Sequence, residues 1–88
     1  MQVAFKKTFF KDLQRLPPEI LSKVQQMVFV EIPAIDSLNN LHNAKKLRGF
    51  ENYYRLRIGV YRLGFKYENS KITFYRILHR KEIYRYFP

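Results

Sequence analysis

Apolar residues recur every three or four positions up to Ile32 and alternate from Lys45 onward, so the chain predicts helices first and a sheet afterwards. Val3-Ala4-Phe5, ahead of Lys6-Lys7, reads as a short opening strand, and Thr8 supplies a hydroxyl where a helix N-cap is wanted. Phe9, Phe10, Leu13 and Leu16 carry a first helix to Pro17-Pro18, because proline disfavours helical backbone in its predecessor. Pro18 opens a second helix whose stripe of Ile20, Leu21, Val24, Met27, Val28 and Ile32 runs until Pro33 ends it. The two make an antiparallel helical hairpin. Ala34 to Asn43 is a polar, turn-rich loop anchored by Ile35, Leu38 and Leu41.

In the second half, Lys45-Lys46-Leu47 is a short strand, Gly49 to Asn52 a turn, Tyr53 to Ile58 a strand, Gly59 a break and Val60 to Tyr67 the next strand. Glu68-Asn69-Ser70 turns the chain into Ile72 to Leu78, which is apolar on both faces, as a central strand covered on two sides would be. Alternation places Tyr54, Leu56 and Ile58 on one face and Tyr53, Arg55 and Arg57 on the other. The following strand repeats this, with Tyr61, Leu63, Phe65 and Tyr67 opposite Arg62, Gly64 and Lys66. If these strands pair through Gly59, then Arg55, Arg57 and Arg62 converge on the face away from the helices.

Eighty-eight residues form one domain, 1-88, and exclude a two-lobed enzyme. A hydrophobic fraction of 47% with three Gly and four Pro is too rich for a disordered linker. Zero cysteines exclude a disulfide framework and a thiolate site and fit a reducing cytoplasm. No apolar run approaches the ~18 residues of a membrane helix, so no membrane partner is expected.

Charge changes the picture most. The net charge is +10, and it is lopsided: residues 45 to 88 hold twelve basic and three acidic groups, residues 1 to 44 five and four. Eleven of the fifteen Phe and Tyr residues share that basic half, interleaving rings with cations as nucleic-acid-binding surfaces do. Arginines on the solvent side of a sheet are ordinary, but Arg55, Arg57 and Arg62 have only Glu51 and Glu68 nearby, both in expected turns, and so no ladder of ion pairs. Guanidinium forks suit phosphate oxygens. In the tail, His79 is a structural residue or an acid or base, and Tyr84 a packing ring, a stacking surface or a proton donor. The chain has no carboxylate cluster, no metal-ligand spacing, no phosphate-cradling glycine loop and no serine elbow, so neither metal nor cofactor is expected. A phosphodiesterase without metal needs cations on the phosphate and proton shuttles at its apical oxygens, and RNA brings its own nucleophile in the 2′-hydroxyl.

Over nearly its whole length the sequence resembles the RelE/ParE superfamily of bacterial toxins, and within it the RelE-like mRNA interferases. The segments that carry the resemblance are Phe9-Phe10-Lys11-Asp12-Leu13 with Leu16-Pro17, Lys46-Leu47-Arg48-Gly49, Tyr54 to Leu63, and His79-Arg80-Lys81-Glu82-Ile83-Tyr84. The resemblance implies an α+β fold, an N-terminal helical hairpin packed on a curved antiparallel sheet. It implies a cytoplasmic, ribosome-dependent endoribonuclease that cuts A-site mRNA through 2′-hydroxyl attack, leaving a 2′,3′-cyclic phosphate and a 5′-hydroxyl, and so inhibits translation. Its partners would be mRNA, the ribosome and a RelB-like antitoxin in a hetero-oligomer. The family's catalytic set maps onto Arg55, Arg57, Arg62, Arg80 and Tyr84, with His79 and Lys81 as further acid or base candidates. Lys45, Lys46, Arg48 and Lys66 are expected to hold RNA. Arg55 and Arg57 stand where the best-known member has lysines, and guanidinium pKa values are too high for a base, so they would stabilise the phosphate. The tail, stopping at Pro88, is expected to lack the extra C-terminal helix of some members. A ParE-like inhibitor of DNA gyrase would share the fold and usually lacks the full basic and tyrosine set; a non-catalytic nucleic-acid-binding module would need only the charge.

Overall fold

A computed structural model describes residues 1–88 and carries five strands and four α-helical segments. Strand β1 (Gln2–Phe5) leads directly into α1 (Lys7–Leu13). The helix α2 (Pro18–Gln26) follows, with Pro18 in its first turn, where a missing N–H costs nothing. It runs on through a π-helical turn, Met27–Glu31, into α3 (Ile32–Ala34). Pro33 therefore does not stop the helix as expected. It sits in the first turn of the new segment α3, beyond the wide turn, where a proline is tolerated. A 3₁₀ turn at Leu38–Asn40, with the Ser37 hydroxyl accepting from the Asn39 N–H at 3.2 Å, orders the connecting loop. Ile35, Leu38 and Leu41 pack on the core.

Strands β2 (Ala44–Lys46), β3 (Tyr53–Ile58), β4 (Tyr61–Glu68) and β5 (Lys71–His79) complete one sheet in the order β1-β5-β4-β3-β2. The β4–β5 turn is tight, with Asn69 and Ser70 both at positive φ, as a two-residue hairpin loop demands. The sheet is mixed rather than wholly antiparallel: β1 opens the chain and lies parallel to β5, pairing Val3 with Ile72 and Phe5 with Phe74. Alternation fixes the faces of a strand but not the direction of its neighbour. The rest of the chain provides the long crossover that a parallel pair requires.

One face of the sheet carries the main core. Leu56, Ile58, Leu63, Phe65, Ile72, Phe74 and Ile77 meet Phe9, Leu13, Val24, Val28 and Ile32 from the helices. The same-face spacing from Phe74 to Ile77 is three residues, because a bulge falls where consecutive Gly64 and Phe65 pair with Arg76 and Phe74. Such a bulge bends a strand and leaves backbone groups unpaired. Here α1 satisfies them. The Thr8 hydroxyl donates to the Tyr75 carbonyl at 3.1 Å, and buried Asp12 accepts from the Ile77 N–H at 3.1 Å and from the Arg76 guanidinium at 2.8 and 3.0 Å. Thr8 thus serves the bulge rather than the helix N-terminus, where Lys6 is the uncapped boundary residue.

The opposite face has a small core of its own. Leu47, Ile83 and Phe87 pack there against Tyr53, Tyr75 and Leu78, which explains why β5 is apolar on both sides. The tail closes with a single helical turn, α4 (Ile83–Tyr86). Ile83 and Phe87, one helical turn apart, are both buried, so docking holds a segment too short to be helical by itself. Phe87 lies so close over Gly64 that a β-carbon there would stand 2.7 Å from its ring.

Candidate functional site

Register assembles the site. β3 and β4 pair Arg55 with Gly64 and Arg57 with Arg62, and β2 pairs Lys45 with Arg55, so four cations rise from three adjacent strands on the face away from the main core. Arg57 and Arg62 stand directly across from one another. Like charges in that relation destabilise a sheet. The hairpin that brings them together turns at Gly59, whose φ of 59° suits a residue without a side chain.

These residues line a cleft of about 280 Å³ with Asn43 and Tyr84. The Arg62 guanidinium donates to the carbonyls of Gly59 at 3.0 Å and Tyr61 at 2.9 Å, which fixes one side of its fork and leaves the other for a ligand. Arg55 lies 4.3 Å from the centre of the Tyr84 ring, a cation–π contact on a ring that remains 74% exposed. α4 therefore delivers a phenol above the arginines. No carboxylate enters the cleft. The two ion pairs of the molecule are elsewhere, Arg76 with Asp12 and Lys66 with Glu68, each at 2.8 Å. The lining has neither imidazole nor carboxylate to ligate a metal, and no group of three such side chains occurs elsewhere. A set of cationic donors without a carboxylate suits an anion.

Five of the expected residues share this cleft: Lys45, Arg55, Arg57, Arg62 and Tyr84. His79, Arg80 and Lys81 do not line it. The His79 ring lies edge-on to Tyr61 at 5.8 Å, and Tyr61 packs on the helix-side core. His79 Nδ1 accepts from the Lys81 N–H at 3.1 Å, which ties both residues into the turn after β5. Exposed Arg80 follows; its N–H donates to the Val60 carbonyl at 2.8 Å, at the same hairpin turn that holds Arg62. Lys46 pairs with Tyr54 and so sits on the other face of edge strand β2, while Arg48 is exposed beyond that strand. Lys66 lies on the cleft face but farther along β4, bound to Glu68, which holds its ammonium pKa above the usual lysine range.

Asn43 was not anticipated. It precedes β2 in the polar loop, and its carbonyl accepts from the Arg57 N–H at 3.3 Å. The available signal was the two-residue spacing from Asn43 to Lys45, which extends the strand's alternation one position backward.

Residues 3–84 match the family described as ParE toxin of type II toxin-antitoxin system, parDE. The chain is similar to Toxin RelE3 of Methanocaldococcus jannaschii, with 45% identity over 89 residues that cover 100% of both chains. It is similar to Toxin RelG of Mycobacterium tuberculosis, with 34% identity over 86 residues and 94% of each chain covered. Among solved structures, the RelB-RelE antitoxin-toxin complex from Methanococcus jannaschii superposes with a TM-score of 0.82 at 42% identity, covering 97% of this chain and 99% of that one.

Proposed function

The chain belongs to the RelE/ParE superfamily of type II toxin-antitoxin toxins, and we propose that within it the protein is a ribosome-dependent mRNA interferase, a metal-independent endoribonuclease that cuts the codon exposed in the A site. The observation that carries this reading is the cleft in which Arg55, Arg57, Arg62 and Lys45 meet Tyr84 without a carboxylate among them. In this reading α1 and α2 form the helical hairpin that backs the sheet, and the cleft receives the scissile phosphate on the opposite face. Arg57 and Arg62 bind its non-bridging oxygens, and Arg55 holds both phosphate and the Tyr84 ring. The RNA 2′-hydroxyl attacks phosphorus as the bond to the 5′-oxygen breaks, giving a 2′,3′-cyclic phosphate. The Tyr84 phenol protonates the departing 5′-oxygen, and the 2′-hydroxyl proton leaves to water or a base. Arginine is not that base, since the guanidinium does not release its proton.

Arg80, beside the Gly59–Val60 turn, meets the strand at the rim of the cleft. His79 and Lys81 set the course of the turn into α4 and thereby the height of Tyr84. Arg48 and Lys46 contact RNA outside the cleft. The partner of the resting protein is a RelB-like antitoxin in a hetero-oligomer, because relatives of known structure are RelB-RelE complexes and a net charge of +10 favours an acidic cover. Translating ribosomes place the activity in the cytoplasm. No helix is long and apolar enough to cross a membrane.

Primer extension on a reporter mRNA in a purified translation system, with and without ribosomes, tests the reading. Cuts that appear within codons only when ribosomes are present are expected. The match to a ParE toxin family supports a second reading, in which the protein acts as a ParE-like toxin and its target is DNA gyrase rather than RNA. Intact mRNA together with poisoned gyrase in a companion assay would select it.

A further inference from the structure

The cleft face of the sheet holds a second cationic hollow, of about 380 Å³, at its other end. Along β4, Arg62, Gly64 and Lys66 share one face. Arg62 lines the cleft, Phe87 covers Gly64, and Lys66 lines the second hollow with Lys6, Lys71, Thr73 and Tyr75. The ammonium groups are directed: Lys6 lies 5.1 Å from the Tyr75 ring centre and Lys66 5.5 Å from that of Tyr53. Both rings stand edge-on to Phe87, each at 5.8 Å. Glu68 is the one carboxylate at the hollow and pairs with Lys66, leaving Lys6 and Lys71 without an acidic partner. Between the two hollows lies Phe87, over Gly64, while Tyr84 belongs to the cleft and Tyr86 stands over Arg76.

We propose that this hollow binds the phosphodiester backbone of the substrate RNA, a few nucleotides from the phosphate held in the arginine cleft. The proposal rests on the interferase reading of the cleft. Four residues of β4 separate Arg62 from Lys66, roughly 13 Å at a strand's rise. A single strand laid along the sheet advances more per nucleotide than the ~3.4 Å rise of a stacked helix, so fewer than about four nucleotides cover it. Ammonium groups take phosphate as point charges, and the Thr73 hydroxyl adds a neutral donor.

Binding of a fluorescent non-cleavable octanucleotide, carrying a 2′-deoxy sugar at the cut site, is measured as a function of salt. Each neutralised phosphate contributes about 0.7 to the slope of log affinity against log salt on single strands. Lys6→Gln/Lys71→Gln should lower the slope by about 1.4, and Glu68→Gln, which frees Lys66, should raise it by up to about 0.7. Unchanged slopes in both variants, folded by circular dichroism, overturn the proposal. A loss seen with 30S ribosomal subunits but not with the octanucleotide would assign the hollow to ribosomal RNA and overturn it equally. Arg57→Gln/Arg62→Gln in the same assay separates the two ideas. If that variant still cuts mRNA on ribosomes and keeps its slope, the cleft reading fails while the Lys6 and Lys71 result stands by itself.

Discussion

In the proposed reaction Arg62 is the residue on which the site turns, because two main-chain carbonyls already fix its guanidinium. Preorganised donors stabilise developing charge without reorganising at the moment of reaction. Arg62→Ala should lower kcat about 10²- to 10³-fold, with the thermal midpoint shifted little and, if anything, upward, since the charge opposite Arg57 is removed. Single-turnover cleavage on ribosomes checks the rate and a melting curve checks the fold. Tyr84→Phe keeps the ring over Arg55 and removes only the hydroxyl, so a proton-donor role predicts a fall in kcat of about 10²-fold or more with KM nearly constant. A change confined to KM would make the ring a stacking surface. Gly64 is equally specific in its demand: Gly64→Ala would press a methyl group into Phe87. The expected cost is about 1–3 kcal/mol, with the tail displaced and cleavage reduced, read from urea unfolding and the same cleavage assay.

Elements show where sequence reading succeeds and where it stops. The period-two pattern in β3 and β4 was enough to put Arg55, Arg57 and Arg62 on one face, because two strands joined by Gly59 admit little freedom of register. It was not enough for β5, where the bulge shifts Ile77 back to the core and turns Arg76 toward Asp12. Bulges follow from which helix covers the strand, and that is settled far away in sequence, at Thr8 and Asp12. The same distance hid α4, a helix held by contacts to Tyr53, Tyr75 and Leu78 rather than by its own propensity. Asp12 is 3% exposed, and its carboxylate raises the Arg76 pKa through their hydrogen bond. Arg76→Met would leave that carboxylate buried with the Ile77 N–H as its remaining partner, at an expected cost of about 3–5 kcal/mol. Asp12→Leu/Arg76→Met removes both charges and should recover most of that loss. A double variant as unstable as the single one would show that the ion pair's contribution is in its geometry at the bulge.

For the whole molecule the arrangement of charge outweighs its sum. The helix layer and the cleft face lie on opposite sides of the sheet, and at physiological salt an exposed charge is screened beyond about 8 Å. Lys11 and Lys23 are exposed on α1 and α2, whereas Lys45 and Arg57 line the cleft. Lys11→Glu/Lys23→Glu and Lys45→Glu/Arg57→Glu each remove four units from the net charge of +10. If total charge governed RNA binding, the two variants would behave alike. If the cleft face governs it, the helix-layer variant should keep the wild-type salt slope and lose only association rate at low ionic strength, where long-range steering operates. The cleft variant should lose at least two phosphate contacts, about 1.4 in slope, and with them cleavage. Salt titrations of octanucleotide binding in parallel for the two variants decide between a charged surface and a built site, and equal losses would reduce the cleft to one patch of a uniformly basic protein.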